Sequence, residues 1–395
     1  MKIDRIPYYL LWFMVFTIPW QNVVILPMLG TISRLAGFMV VGVALLYVLM
    51  YGRTKEPSLF LIIMVLYVVW QLMSYFWSIN PGATFSRTIT NVQLLAMAWL
   101  IWELCKSEND RTGLFKAFVI GAFVSIGDMI MTYMQGTSPQ FRIAAANFDP
   151  NYLATTLAIS IPLSYYLINK EQKTIMYFLS LLYMPLALFG IVLTASRGGL
   201  VVALVALTVI PLTYFSITRL NRVIISAFVG ICIIFVMLWL PGNYEKIENN
   251  IERIAETPQF LKEGDLSYRQ VIWSAGWKVF AENPIVGVGA RGFRYGVVEH
   301  LYGVKAPHNT YLSVLVDTGV IGIILFLSAF LVAFLPNINL PPPYRMIYLV
   351  LLLSLMVGLI PINWEADKNT WFILSLLTLQ YTFVIRSNRI KTIRI

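Results

Sequence analysis

His300 and His308 are the only two imidazole groups in the 395-residue sequence. His308 follows Pro307 where a long apolar run begins, so we place it at the external edge of a membrane span. A histidine there could accept a proton from an acceptor hydroxyl near neutral pH. The alternative is an interfacial histidine that only satisfies backbone at a helix entry, and spacing alone leaves both interpretations open.

Arginines beside small residues form a second group. Arg197 lies in the short segment Thr194–Gly199 between two apolar runs, where small neighbours let a ligand approach the backbone. Its planar guanidinium matches phosphate oxygens, so this turn suits a diphosphate leaving group. The alternative for Arg197 is a charge that marks the end of a span. For Arg34 and Arg87 we expect only that topological role.

The segment 283–293 contains a formal GxGxxG pattern. It follows a predicted helix and a proline rather than a strand, so it does not indicate a dinucleotide site. We expect its glycines to permit a tight loop, with Arg291 as a second phosphate contact. The sequence has no P-loop, HExxH, paired acidic motif or metal-spaced Cys/His cluster, so we predict neither a metal nor a cofactor.

The composition places these residues in a membrane protein. Hydrophobic residues make up 58% of the chain and charged residues 12%, and the mean hydropathy of +0.74 excludes a soluble globule. Apolar runs long enough to cross about 30 Å of hydrocarbon recur throughout. We predict an all-α, polytopic integral membrane protein with about 12 transmembrane helices, at residues 8–28, 35–51, 58–76, 88–104, 114–134, 151–168, 174–194, 198–215, 223–240, 309–335, 345–361 and 370–386.

The net charge of +10 is distributed asymmetrically. More than half of the Lys and Arg residues fall in the two termini and in alternate loops, so the positive-inside rule places both termini in the cytoplasm. The basic tail from Arg386 to Arg394 then anchors the topology rather than binding nucleic acid. Three regions follow: 1–240 with spans 1–9, 241–306 as a large extracytoplasmic loop, and 307–395 with spans 10–12 and the tail.

The large loop is where we expect function. Two amphipathic helices are predicted in it, one from Tyr244 to Glu256 and one from Ser267 to Glu282. The second carries Arg269, Trp273 and Trp277 at four-residue spacing. The two tryptophans either stack on sugar or seat the loop in the interface, and we favour seating. Asp317, deeper in span 10, is a costly buried acid whose role is either structural or functional.

Several short motifs occur in a fixed order around this loop, and together they resemble the O-antigen ligase family, the Wzy-type ligases and polymerases of bacterial surface polysaccharide. The motifs are Trp77-Ser78 before Arg87, Asn147–Ala154, Ser196–Gly199, Tyr268–Trp273, Asn283-Pro284 with Gly287–Gly289, Pro307–Leu312, Thr318-Gly319, and Glu365, Asp367 and Trp371.

The resemblance implies transfer of a glycan from a polyprenyl (undecaprenyl) diphosphate carrier to an acceptor hydroxyl, at the periplasmic side of the bacterial inner membrane. It assigns the essential histidine and arginines, and with the residues argued above the catalytic group becomes His308, Arg197 and Arg269. The substrate-binding group becomes Arg291, Asn309, Asn151 and Trp273.

The resulting hypothesis is a metal-independent, inverting glycosyltransferase of the O-antigen ligase type, with lipid A-core as acceptor. A Wzy-type polymerase, with a growing glycan as acceptor, is the alternative. A lipid-linked oligosaccharide flippase or transporter is the rival from another class, and it predicts ionisable residues along a midplane path. Apart from Asp128 and Asp317 the predicted spans nearly lack them. The expected partners are the lipid-linked donor, the acceptor and the bilayer, without nucleic acid.

Overall fold

The computed structural model describes residues 5–28, 30–51, 54–135, 142–213, 244–255, 268–301 and 303–379. These residues are mostly helical. The helices are α1 (Ile6–Thr17), α2 (Ile32–Tyr51), α3 (Leu59–Met73), α4 (Pro81–Leu104), α5 (Glu108–Met134), α6 (Pro150–Lys170), α7 (Ile175–Leu193), α8 (Arg197–Leu207), α9 (Val209–Thr213), α10 (Tyr244–Ala255), α11 (Arg269–Glu282), α12 (Phe293–Gly296), α13 (Thr310–Phe334), α14 (Pro342–Gly358) and α15 (368–379). The described residues also form one two-stranded antiparallel sheet, which pairs β1 (Ile25–Leu26) with β2 (Gly30–Thr31).

Five of the described helices are long and apolar enough to cross a membrane, and three shorter apolar helices accompany them. The five are Ile32–Met50, Leu59–Trp77, Glu108–Met134, Ile175–Leu193 and Thr310–Asn337. The prediction of a helical, multi-pass membrane protein is therefore confirmed, whereas the count of twelve spans stays a prediction. The predicted span 223–240 and the basic tail lie outside the described residues, and 370–386 is described only as far as 379.

Two predicted span boundaries are wrong. The first apolar run is not one helix, because α1 ends at Thr17 and turns follow around Pro19, which lacks a backbone N–H. The fourth helix begins at Pro81 rather than at residue 88, because Asn80 accepts a hydrogen bond from the N–H of Ala83 at 3.0 Å and caps it. Arg87 therefore lies inside a helix, not in a loop.

The chain forms two compact units. Unit 1 comprises Met1–Tyr51, Leu104–Pro258 and Asn339–Gly358. Its central helix is α6, which packs against α5, α7, α8 and α14 and is buried throughout its middle. The hydroxyls of Thr156 and Ser160 on α6 donate to carbonyls four residues earlier, so these polar side chains are satisfied inside the bundle.

Unit 2 comprises Gly52–Glu103, Gln259–Ile338 and Leu359–Ile395. Its long helix α13 packs against α3 and α11. One face of α11, formed by Ile272, Ala275 and Val279, is buried. It packs in a small apolar core with Phe293, Leu312 and Val316. Burial of side chains as large as Phe293 and Leu312 stabilises by about 1.5–3 kcal/mol each. This core attaches α11 to the beginning of α13.

Both helices predicted between residues 241 and 306 are present, as α10 and α11, whereas the large loop itself stays a prediction. On α10, Ile251 of the predicted apolar stripe is exposed, and the side chains of Ile247 and Ile254 lie outside the described residues. On α11, Trp273 packs against the apolar core, while Trp277 is 55% exposed. The division into 1–240, 241–306 and 307–395 concerns membrane sidedness and stays a prediction.

Candidate functional site

In unit 2, α13 is broken at Gly319, whose backbone has φ 66° and ψ −168°. The break frees backbone groups that the 283–293 loop and α3 then satisfy. The carbonyl of Val316 accepts from Val288 N at 3.0 Å, and the carbonyl of Asp317 accepts from Gly289 N at 2.9 Å. The carbonyl of Thr318 accepts from Trp70 Nε1 at 2.9 Å. In the other direction, Val320 N donates to the carbonyl of Pro284 at 2.9 Å. Irregular backbone at a membrane helix is tolerated when its polar groups are paired in this way.

The glycines of the GxGxxG pattern make this pairing possible. Gly287 has φ 71° and Gly289 has φ 98°, both in the left-handed region. A Cβ at Gly287 would lie 2.6 Å from the backbone of Asp317. The interpretation of the pattern as a tight loop is confirmed, since its backbone lies directly against α13.

The same loop is attached to the segment that carries the Trp77-Ser78 motif. Trp77 Nε1 donates to Val286 O at 3.3 Å, and Ile79 N donates to Val288 O at 3.1 Å. Ala290 donates its N–H to Ser74 Oγ at 3.1 Å. Motifs that are far apart in sequence are therefore neighbours in unit 2.

Asp317 holds the end of the loop. Its Oδ1 accepts from Phe293 N at 2.6 Å, and its Oδ2 accepts from Ser313 Oγ at 3.2 Å. Both carboxylate oxygens are thus used, and the residue is only 6% exposed. Of the two roles considered from the sequence, the structural one accounts for these contacts.

His308 adopts a left-handed backbone conformation, with φ 45°, immediately before α13. The carbonyl of the preceding Pro307 accepts a hydrogen bond from Trp273 Nε1 at 2.9 Å. The following residue, Asn309, caps α13 by accepting from Leu312 N at 3.0 Å. The half-buried His308 is therefore held by fixed neighbours on both sides.

Trp273 also connects His308 to Arg269. Arg269 is the first residue of α11, and Trp273 lies one turn later on the same helix. The contact with Pro307 gives Trp273 a positioning role, while the Oδ1 of Asn309 is occupied by the helix cap. Direct substrate contacts by Trp273 and Asn309 stay predictions.

Backbone strain in unit 2 is concentrated at these residues. Among its described non-glycine residues, a positive φ occurs at Tyr268 (67°), Arg291 (64°) and His308 (45°). Each of them either is a predicted site residue or directly precedes one. Strained backbone costs of order 1–3 kcal/mol per residue and is retained mainly where function requires it.

Arg291 belongs to a group of arginines. Burial lowers the pKa of its guanidinium, and the nearby charges of Arg87 and Arg294 lower it further. An anion would offset the positive charge that Arg87 and Arg294 place near Arg291, so this position suits a phosphate-bearing ligand. The expectation that Arg87 only marks topology is wrong, because Arg87 Nη1 forms an ion pair with Glu365 Oε2 at 3.2 Å.

Glu365 is the anchor of that ion pair. Its Oε1 accepts from Gln71 Nε2 at 2.9 Å, from Asn91 Nδ2 at 3.0 Å and from the Tyr67 hydroxyl at 3.5 Å. Because three side-chain donors and Arg87 surround this buried carboxylate, the network holds the Arg87 side chain in place. The sequence signal for this network was available, since Gln71 and Asn91 are polar residues within apolar helices.

In unit 1, Arg197 is the first residue of α8, directly after the N-cap Ser196. Ala195, two residues before Arg197, has a positive φ of 47°. Arg197 Nε donates to Arg253 O at 3.1 Å, and Asn250 Nδ2 donates to Leu193 O at 3.1 Å. Helix α10 is thereby attached to the short turn that carries Arg197.

Asn151 lies beside the same turn. Its Oδ1 accepts from Arg142 Nη2 at 2.8 Å and from Ser196 Oγ at 2.9 Å. Arg142 Nε donates to Thr194 O at 3.0 Å. Arg142, which the sequence analysis did not single out, therefore supports both Asn151 and the Arg197 turn. Its isolated position in a predicted external loop gave no signal of this role.

Within the described ranges, no group of three or more His, Cys, Asp or Glu residues is arranged to hold a metal ion. Metal independence of the chemistry stays a prediction, which requires a chelation experiment.

Residues 182–327 match the model of the O-antigen ligase family. The chain carries an O-antigen ligase domain. The resemblance inferred from the motifs is confirmed, and the matched region contains every predicted site residue except Asn151. Arg87, Arg142 and Glu365 lie outside the matched region of the O-antigen ligase domain. No protein with a curated description matches the chain.

Proposed function

We propose that the protein transfers a glycan from an undecaprenyl diphosphate carrier to an acceptor hydroxyl at the periplasmic face of the bacterial inner membrane. The observation that carries the proposal is the placement of His308, whose strained backbone is held through Trp273 by the helix that begins with Arg269. The O-antigen ligase match supports the reaction class, because this family acts in O-antigen assembly.

The chemistry is a single displacement. The acceptor oxygen forms a bond to the anomeric carbon while the bond between that carbon and the diphosphate oxygen breaks, which inverts the anomeric configuration. His308 takes the acceptor proton, and undecaprenyl diphosphate departs as the anion. Arg197 and Arg269 stabilise the charge that develops on the leaving group. The donor brings its own leaving group, so the reaction needs no nucleotide and no metal.

The proposed acceptor is lipid A-core, which makes the protein a ligase. A polymerase would use the same donor and add it to a growing glycan, so the two differ in the acceptor alone. Analysis of glycan from a deletion strain separates them. A long polymer that remains on its lipid carrier supports the ligase, and a single lipid-linked repeat supports the polymerase.

The buried acids argue against the transporter alternative. A transport path needs ionisable groups that can change partners. Asp317 and Glu365 have their oxygens engaged by fixed donors, and Asp110 Oδ1 pairs with Arg5 Nη1 at 2.6 Å. These contacts are typical of anchors between elements.

The experiment follows transfer by the purified full chain in nanodiscs, with a lipid-diphosphate donor, a lipid A-core acceptor and EDTA. We expect wild-type transfer and no transfer by His308→Ala at equal protein abundance. Lys305→Ala, which removes an exposed charged side chain of unit 2 outside the proposed site, is the control and should retain activity. Normal transfer by His308→Ala refutes the proposed base, and loss of wild-type transfer in EDTA refutes metal independence.

A further inference from the structure

A shallow groove lies along one side of α11 in unit 2. It has a volume of about 290 Å³ and is lined by Gln270, Val271, Ser274, Ala275, Lys278 and His300. Neither the proposed catalytic residues nor the arginine group around Arg291 line it. The groove is therefore a feature that the proposed chemistry leaves unused.

The groove lies on the helix that begins with the proposed catalytic residue Arg269. Gln270, Ser274 and Lys278 follow each other at four-residue spacing, so they form one stripe about 12 Å long on the helix. The helix begins at Arg269, directly before Gln270, and Trp273 of the same helix contacts Pro307. A ligand in the groove would thus be held at a fixed position relative to Arg269 and His308.

The lining chemistry fits a sugar. The amide of Gln270, the hydroxyl of Ser274, the ammonium of Lys278 and the imidazole of His300 can all bond to hydroxyl groups. Val271 and Ala275 provide an apolar floor for the face of a ring. The groove volume of about 290 Å³ lies at the lower limit of ligand pockets, about 300–1,000 Å³, so the groove has room for one sugar residue rather than a whole oligosaccharide.

The charge of the groove indicates the charge of the ligand that it would bind. Lys278 forms no ion pair with another described residue, whereas His300 Nε2 lies 4.0 Å from Glu282 Oε1. Glu282 thus faces the histidine, and Lys278 supplies the positive charge of the groove. A carboxylate on the sugar would complement it.

We propose that this groove binds one acidic sugar residue, of the hexuronic acid class, in the glycan that the enzyme handles. The proposal rests on the proposed function, because glycan transfer brings the sugar chain to this part of the protein. The acidic residue belongs either to the donor glycan or to the acceptor glycan, and the chemistry of recognition is the same for both.

The kinetic test uses glycans that contain a hexuronic acid and the same glycans with the carboxyl group reduced to hydroxymethyl. Lys278→Gln should raise KM for the acidic glycan about three- to tenfold and leave kcat unchanged, as expected for one partly exposed charged contact. Its KM for the reduced glycan should equal that of the wild type. Lys305→Gln, which removes another exposed lysine of unit 2, is the matched control and should change neither KM.

Two arms of this test identify the source of the acid. The hexuronic acid is placed on the donor in one arm and on the acceptor in the other, and the arm in which KM responds to Lys278→Gln gives the source. If KM for the acidic glycan is the same in Lys278→Gln and wild type in both arms, the proposal is overturned while the transfer function stands.

A binding measurement tests the proposed sugar site independently of catalytic activity. Saturation-transfer NMR with a lipid-free hexuronic acid oligosaccharide should show binding to the full chain in nanodiscs. Ser274→Trp, which fills the exposed groove, should abolish the signal, and His308→Ala should retain it. Binding that survives Ser274→Trp, or that is equal for the reduced sugar, overturns the proposal. If the wild type binds the acidic oligosaccharide in this way but transfers no glycan, the proposed function is refuted while the proposal of an acidic sugar site stands.

Discussion

At the scale of single residues, the carbonyl of Pro307 joins α11 to the residue that precedes His308. The indole N–H of Trp273 supplies that contact at 2.9 Å. Because the ring also packs against the apolar core, a change that keeps the ring and removes the N–H isolates the hydrogen bond.

Trp273→Phe should therefore lower kcat of transfer with little loss of folded protein. A neutral hydrogen bond contributes about 0.5–1.5 kcal/mol, so kcat should fall roughly two- to tenfold. Trp277→Phe is the control, since Trp277 is exposed and contacts only Phe280 among the ring pairs of the described residues. Equal kcat in both variants would show that the hydrogen bond does not position His308.

Arg→Lys substitutions test whether the proposed diphosphate contacts depend on the shape of the guanidinium or only on its charge. Lysine keeps the positive charge of arginine but loses the planar fork, so Arg197→Lys and Arg269→Lys should reduce transfer about tenfold or more. Arg34→Lys is the control, because Arg34 is exposed and its guanidinium lies over the ring of Phe38, outside the proposed site. Activity of the two lysine variants at the level of the control would exclude bidentate phosphate binding.

Arg87 is unsuitable as such a control because of its buried ion pair with Glu365. Removal of one partner from a buried pair costs about 3–5 kcal/mol, so Arg87→Met should strongly reduce the amount of folded protein. The double variant Arg87→Met/Glu365→Gln removes both charges and should recover much of that loss. Thermal unfolding in detergent measures the difference, and additive effects of the two substitutions would contradict the coupling.

At the scale of elements, the interrupted helix α13 and the 283–293 loop form one paired structure. The break at Gly319 exposes carbonyls that the loop amides occupy, so each element needs the other. The loop then places Arg291 where the charges of Arg87 and Arg294 lower the pKa of its guanidinium.

Gly287→Ala should disrupt this pairing. Its φ of 71° is unfavourable for alanine, and the added Cβ would lie 2.6 Å from the Asp317 backbone. We expect both a lower unfolding temperature and a loss of transfer. Gly303→Ala shares the strain of a positive φ but meets no atom within 4 Å, so it controls for strain alone. Equal unfolding temperatures for the two variants would show that the close approach is unimportant.

At the scale of the whole molecule, the sidedness of the loops decides where the chemistry takes place. In a variant without native cysteines, a cysteine placed at Lys305 should react with a membrane-impermeant maleimide in spheroplasts. A cysteine placed at Gln172, which is also exposed, should react only after permeabilisation. Labelling of Gln172→Cys in intact cells would reverse the predicted topology and move the proposed site to the cytoplasm.

The class of molecule follows from the amino-acid sequence alone. Composition and apolar runs require membrane helices, because a chain in lipid must satisfy its backbone hydrogen bonds internally. Local signals also located α11, which ends at the predicted Asn283-Pro284 stop, and the glycine loop that follows it. The ordered motifs identified the O-antigen ligase domain.

Which residues support one another depends on contacts between distant parts of the chain. Trp273 and Pro307 are 34 positions apart, and Gln71 and Glu365 are 294 positions apart. Hydropathy measures the cost of placing a group in lipid and contains no information on its partner, so it classed Arg87 as a topological charge. The partner is fixed by packing between helices distant in sequence, and this packing converts isolated polar residues into a buried network.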